Sequence, residues 1–344
     1  MAGSRIAAAI DDNGLVLPQD GQIAVFRPKS ENDYSALPQN RLIACQSFKP
    51  EYDWFVRSTI ATQATYDGPF SACLVDLTRS KDESLGLIAQ AFDQVAAGGL
   101  IIVDGAKKSG ADSVLNLCKK LLTVAGTVSK SHGKLFWMIR PPDISGTLIG
   151  WHEKLAPRQQ AHGFIAGPGM FSPAKIDMGS QLLAGCFAGQ LSGVVADLGA
   201  GWGFLSAQIM QQPNVTKIDL FEAEHSALAA ARRNVTDPRA QFFWEDVATM
   251  TFADRYDHVV CNPPFHQSRA ADPDLGRAFV KSAAGALKPR GNLWLVANRQ
   301  LPYEAVLSEC FSRVEVLEEN RMFKAFLAQR PKDYTRNTKR PVRS

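Results

Sequence analysis

Cysteine is scarce and unclustered: Cys45, Cys73, Cys118, Cys186, Cys261 and Cys310 are scattered through 344 residues, with no C-x-x-C pair. That pattern excludes a zinc ribbon and a disulfide framework. It predicts buried thiols in a reducing, cytoplasmic setting, with no metal. Long apolar runs are missing too. The longest weakly polar stretch, 178–196, is broken by Ser180, Gln181, Gln190 and several glycines, so no membrane span is expected. Residues 6–10 are apolar but run straight into Asp11 and Asp12, too short for a secretory signal. Charge of one sign is also lacking. The net value is only +4, and the basic tail at 331–344 accounts for it through Lys332, Arg336, Lys339, Arg340 and Arg343 against Asp333. Such a tail is either a phosphate contact or a solvated end.

What is present is organised around residues 194–203. An apolar run, Val194-Val195-Ala196, ends in Asp197. Three glycines follow at alternate positions, Gly199, Gly201 and Gly203, and 204–210 reads as a helix. Strand, tight turn and helix in that order form a ligand-binding turn, because glycines let a ligand approach main-chain N–H groups. A dinucleotide fingerprint, G-x-G-x-x-G, would need its third glycine at Phe204, so it fails. The spacing D-x-G-x-G-x-G instead resembles the first motif of class I S-adenosylmethionine methyltransferases. That ligand has no pyrophosphate to wrap.

The chain repeats itself. In the first half, 22–26, 41–46 and 71–76 read as strands. Leu85, Ile88, Phe92 and Val95 mark an amphipathic helix stopped by Gly98-Gly99, and strand 100–103 follows. A helix at 115–122 and a strand at 134–139 complete it. In the second half, strand 259–261 is followed by a helix at 278–287, a break at 289–291, a strand at 292–296, a helix at 303–310 and paired strands at 314–317 and 323–327. Each half is a doubly wound α/β unit, which predicts an internal duplication. At the turn where the second copy has glycines, the first has Phe26-Arg27-Pro28-Lys29-Ser30. The expected organisation is therefore a degenerate methyltransferase-like domain at 1–150, a catalytic domain at 151–330 and the basic tail. Residues 141–165, rich in Pro and Gly, read as the linker.

Chemistry concentrates in the second half. Glu222 closes strand 216–221, where an acid meets ribose hydroxyls in this fold. Asp246 closes the next strand and is placed to accept from an adenine amino group, although a strand-end Asp also caps helices. The decisive motif is Asn262-Pro263-Pro264-Phe265, directly after strand 259–261. Two prolines forbid a helix and remove two N–H donors, so the loop presents acceptors. With the Asn262 amide oxygen, those acceptors grip a planar amino group by its hydrogens and turn the nitrogen lone pair toward an electrophile. Phe265 offers a stacking face. Asp177 is expected to cap the helix that starts at 178. His266, Lys175 and Arg269 are surface groups able to meet substrate or phosphate.

Asn262-Pro263-Pro264-Phe265-His266, with Val296-Ala297-Asn298-Arg299-Gln300-Leu301-Pro302-Tyr303 and Arg321-Met322-Phe323-Lys324, resembles the bacterial ribosomal RNA guanine-N2 methyltransferases, most closely the small-subunit type. Upstream, Gly167-Pro168-Gly169-Met170-Phe171-Ser172 and Ile176-Asp177-Met178-Gly179-Ser180-Gln181-Leu182-Leu183 carry the same resemblance. It is specific over 164–328 and architectural over 1–150. It implies two tandem class I methyltransferase-like α/β domains, the first degenerate. The implied reaction is methylation of the exocyclic N2 of a guanine in 16S rRNA, within the small ribosomal subunit. The implied catalytic loop is Asn262, Pro263, Pro264 and Phe265. The implied S-adenosyl-L-methionine site is Asp197, Gly199, Gly201, Gly203, Glu222, Asp246 and Asn262. Ala200 stands where that family often has Cys. The same loop also serves enzymes acting on adenine N6 or on a protein glutamine. A non-catalytic RNA-binding assembly factor is the reading from another class.

Overall fold

The computed structural model describes residues 4–144, 146–253, 255–264 and 273–332. The chain divides into two units. The first runs to Arg158 and takes in Gly167–Gly169; the second takes Gln159–Ala166 and continues from Met170.

The first unit has strands β1 (Ile23–Phe26), β2 (Leu42–Cys45), β3 (Ala61–Gln63), β4 (Phe70–Asp76), β5 (Val95–Ala106), β6 (Gly126–Lys130) and β7 (Gly133–Ile139). They form one sheet in the order β3-β2-β1-β4-β5-β7-β6. The first five strands in that order are parallel, and β7 is antiparallel to both β5 and β6. Helices α1 (Arg5–Asp12), α2 (Lys49–Arg57), α3 (Lys81–Gln94), α4 (Ala111–Leu121) and α5 (Ile149–Leu155) accompany it. The stretch read as a linker thus carries a helix: Leu148 and Trp151 are buried in the same core as Leu85, Ile88 and Phe92 of α3.

The second unit repeats the plan. Its strands are β8 (Gly193–Leu198), β9 (Val215–Glu222), β10 (Ala240–Trp244), β11 (Tyr256–Cys261), β12 (Leu287–Asn298), β13 (Phe311–Glu319) and β14 (Phe323–Pro331). They pair in the order β10-β9-β8-β11-β12-β14-β13. Helices α6 (Met178–Phe187), α7 (Phe204–Met210), α8 (His225–Asn234), α9 (Pro273–Ala286) and α10 (Tyr303–Cys310) flank the sheet. Alternate strand residues feed opposite layers. Val195, Val260 and Val296 pack into one core, and Ala196, Val259 and Leu295 into the other. A parallel sheet covered on both faces needs apolar side chains at every position, hence the continuous apolar runs.

The two copies share an irregularity that the sequence reading placed differently. Gly98-Gly99 and Pro289 to Gly291 were expected to lie between helix and strand. Instead α3 stops at Gln94 and α9 at Ala286, and β5 and β12 begin at the next residue and run through those positions. Pairing slips there, between Phe70 and Ala72 on one side and between Tyr256 and His258 on the other. A Cβ on Gly99 would lie 2.7 Å from the Ser71 carbonyl oxygen, and one on Gly291 would lie 2.9 Å from that of Tyr256. Both are bulges in which the neighbouring backbone approaches too closely for a side chain.

Candidate active site

The site of the second unit lies at the carboxyl ends of its parallel strands, where open α/β sheets bind ligands. β8 delivers Asp197 and the glycine turn. Gly199, Gly201 and Gly203 all take positive φ, +75°, +57° and +92°. The turn is anchored to β9, since the Gly199 and Ala200 N–H groups both donate to the Phe221 carbonyl (2.9 and 3.0 Å). Gly203 packs on α8, where an added Cβ would meet Val235 at 3.1 Å and Ala231 at 3.3 Å. Around the Cβ position of Gly201 there is no heavy atom of the described residues within 4 Å. So Gly203 is fixed by packing, while Gly201 leaves space for a ligand.

Asp197 is fully buried. Its Oδ2 accepts from the Ser206 hydroxyl at 2.6 Å, and its Oδ1 has no hydrogen-bond partner among the described residues. Burial, reinforced by the nearby Glu222 charge, pushes its carboxyl up to about 7 despite the Ser206 hydrogen bond. Glu222 closes β9. One carboxylate oxygen accepts from Gly201 N–H and the other from Glu224 N–H, each at 2.7 Å. Burial raises it as well, against the pull of those N–H donors. Two acids raised by burial, one with an unused acceptor, suit a ligand that brings positive charge and hydrogen donors.

Asp246 lies two residues past the end of β10 and organises its own turn. It accepts from Ala248 N–H and from the Thr249 hydroxyl, both at 3.0 Å. The turn leads into no helix, so the helix-capping role weighed from sequence is not the one it plays.

Asn262 follows β11 directly. Its amide nitrogen donates to Asp177 Oδ2 at 3.0 Å and to Ser180 Oγ at 2.8 Å. Its Oδ1 is buried without a partner among the described residues. Pro263 and Pro264 continue the loop outside any helix or strand. Phe265, His266 and Arg269 lie outside the described residues, as does the basic tail from 333 onward. Asp177 caps α6 as expected, accepting from Ser180 N–H at 2.9 Å. Sequence reasoning missed its bond to Asn262. It also missed Ser206, Ser180 and Asn234. Asn234 exchanges two 2.7 Å hydrogen bonds with the Ile165 backbone and donates to the Trp202 carbonyl at 2.8 Å, tying α8 to the glycine turn. The available signal was a polar residue on an apolar helix, as with Ser206 in Leu205-Ser206-Ala207 and Ser180 before Leu182-Leu183.

The first unit keeps the frame and has lost these groups. Leu198 pairs with Phe221 and Cys261, as Phe26 pairs with Cys45 and Val75. The register equates Asp197 with Val25, Gly199 with Arg27, Glu222 with Gln46 and Asn262 with Asp76. Arg27 keeps a positive φ of 57°, and its N–H donates to Cys45 as that of Gly199 does to Phe221. Gln46 accepts from Phe48 N–H, as Glu222 does from Glu224. The Arg27 guanidinium, however, donates to Ser47 at 2.5 Å and sits 3.4 Å from Glu83. Asp76 accepts from the Tyr34 hydroxyl and from Asn32. Its carboxyl is held at about 7, raised by burial and then by the Asp104 charge.

A doubly wound sheet in the order 3-2-1-4-5-7-6, with an acid and a glycine turn after its first strand and Asn-Pro-Pro after its fourth, defines a methyltransferase-class domain. Residues 161–326 match the family model "Methyltransferase small domain". The chain belongs to the ribosomal RNA small subunit methyltransferase C family. The protein of that name from Actinobacillus pleuropneumoniae serotype 7 is 30% identical over 263 residues, covering 73% of this chain and 77% of its own length. The one from Alcanivorax borkumensis is 30% identical over 263 residues, covering 74% and 79%. The solved structure of T. thermophilus 16S rRNA N2 G1207 methyltransferase (RsmC), in complex with AdoMet and guanosine, superposes with a TM-score of 0.77. It covers 92% of this chain and 90% of that one at 20% identity, so both tandem folds are shared. Among the described residues no helix is long and apolar enough to cross a membrane, and no group of His, Cys, Asp or Glu is placed to hold a metal.

Proposed function

We propose that the second unit transfers the methyl group of S-adenosyl-L-methionine to the exocyclic N2 amino group of a guanine in 16S rRNA, within the small ribosomal subunit in the cytoplasm. The observation that carries this is the Asn262 amide, with both hydrogens donated inward and its oxygen buried and without a partner among the described residues. Membership of the family supplies the substrate class.

The residues fit the cofactor. Asp197 has an unused buried oxygen, and Gly201 borders open space. Asp197, Gly199, Gly201, Gly203 and Glu222 would hold it, with Asp246 at the adenine end and Asn262 at the reacting end. When bound, it supplies a methyl group on a sulfonium, electrophilic without further activation. The protein's own work is positioning. Asn262 Oδ1 and the carbonyls of the Pro263-Pro264 loop accept the hydrogens of the amino group, so its lone pair is held out of conjugation and aimed. Pro263 and Pro264 carry no N–H, so neither competes for that lone pair. No strong base is required: as the N–C bond forms, the nitrogen becomes acidic and its proton passes to water. Phe265 is the proposed stacking surface for the base, which leaves its stack to reach the loop. The first unit, with no equivalent acids, is the degenerate copy.

The test is methyl transfer from labelled S-adenosylmethionine to small subunits lacking the modification, followed by nucleoside analysis. Labelled N2-methylguanosine is expected. Asn262→Ala should abolish transfer while cofactor binding, measured by calorimetry, remains detectable. Label in N6-methyladenosine, or only in protein, would discard the substrate assignment.

A further inference from the structure

We infer that Asp177 and Ser180 are positioning residues of the transfer: together they lock the Asn262 amide as an acceptor-only group. The inference rests on the reading of the second unit given above.

An asparagine amide is nearly symmetric in shape and can present either its oxygen or its NH2 to a ligand. At Asn262 the choice is made by its neighbours. Asp177 Oδ2 lies 3.0 Å from Asn262 Nδ2, and a carboxylate can only accept. A flipped amide would set Oδ1 against that oxygen, acceptor against acceptor. Ser180 Oγ takes the second hydrogen at 2.8 Å. A hydroxyl can donate or accept, so Ser180 alone would tolerate either orientation. Asp177 decides the direction and Ser180 completes it. Both Nδ2 hydrogens are then spent, and Oδ1 is left buried and without a partner among the described residues.

Asp177 is itself held. As the N-cap of α6, its Oδ2 also accepts the Ser180 N–H at 2.9 Å, so one oxygen serves the cap and the amide together. The helix start is thereby coupled to the loop after β11, 85 residues further along the chain. Gly179 keeps this corner clear: a Cβ there would lie 3.0 Å from both Asp177 Oδ2 and Phe323 Cε1.

The consequence is selectivity. An acceptor-only Asn262 admits a base edge that offers N–H donors and repels one that offers a carbonyl. For guanine it accepts the N2 side and disfavours presentation of O6.

Two variants separate orientation from capping. Asp177→Ser keeps a good N-cap but removes the acceptor-only group, while Ser180→Ala keeps the cap and the carboxylate and removes one bond. Expected results are a fall in kcat of about a hundredfold for Asp177→Ser and about tenfold for Ser180→Ala. Cofactor affinity should stay within about twofold and Tm close to wild type. A second readout needs no turnover. The Asn262 side-chain NH2 resonances, identified by their loss in Asn262→Ala, should exchange with water slowly in the wild type and rapidly in both variants. Wild-type kcat and unchanged resonances in Asp177→Ser and Ser180→Ala, with Asn262→Ala inactive, would overturn this inference alone. Full transfer by Asn262→Ala would overturn the reading of the site and this inference with it.

Discussion

Asp197 is a buried acid, with one oxygen bonded to Ser206 and the other without a partner among the described residues. Its place after an apolar strand and before glycines marked it as a ligand group. That it is fully buried and raised from an ordinary 3.8 to about 7 follows from tertiary packing. The folded protein therefore keeps the Asp197 proton up to about pH 7, whereas the unfolded chain releases it near pH 4. Asp197 contributes stability that is complete below about pH 4 and lost as pH rises through 7, roughly 2–4 kcal/mol in the ligand-free protein. Denaturant titrations from pH 4 to 8 should show that decline, and Asp197→Asn should flatten it. Asp76 in the first unit, also at about 7, should leave a residual slope. Cofactor affinity should rise over the same window, as a carboxylate replaces a neutral acid opposite a cationic ligand. The glycines make a paired test. Gly201→Ala meets no atom of the described residues within 4 Å, so it should fold with a loss of about 1 kcal/mol from its positive φ and lose cofactor binding by filling the cradle. Gly203→Ala, at φ +92° and 3.1–3.4 Å from α8, should lose more in Tm.

Individual elements were largely legible. Helix α10 lies where the sequence places it, at 303–310, because amphipathic periodicity is local. The bulged starts of β5 and β12 were not, because Gly and Pro look like stops until the partner strand's backbone is in place. Whether a polar residue inside an apolar element is a surface group or a clamp was equally hidden, and Asn234 is the clearest case. It serves two backbone groups of Ile165 and one of Trp202. Asn234→Ala should cost on the order of 2–4 kcal/mol by leaving backbone donors and acceptors unserved. It should also raise the cofactor Kd by loosening the glycine turn. Thermal melts and calorimetry would measure both; an unchanged Tm would dismiss the clamp.

At the scale of the whole molecule, the two units share a strand order and differ in the residues at the strand ends. The first unit retains the strand order, the positive φ at Arg27 and the Gln46 counterpart of the Glu222 bond. It has Val25 in place of an acid, and the Arg27 guanidinium at its turn donates to Ser47 and sits beside Glu83. Hydrogen exchange with and without cofactor should show protection at 199–203 and at Glu224, and no change at Arg27 and Lys29. Protection in the first unit would mean that it too binds the ligand.

The sequence by itself determined the class of fold, the duplication, the glycine turn, the acids and the Asn-Pro-Pro loop. Each of these is local: periodicity, a turn's demand for positive φ, and the absence of N–H on proline act over a few neighbouring residues. Only tertiary structure decided which atoms of those residues are free. The oxygens of Asp197 and Asn262 that have no partner among the described residues are defined by Ser206, Asp177 and Ser180, which the fold brings in from other elements. Burial and hydrogen-bond saturation depend on the whole surroundings of an atom, and no spacing along the chain encodes them.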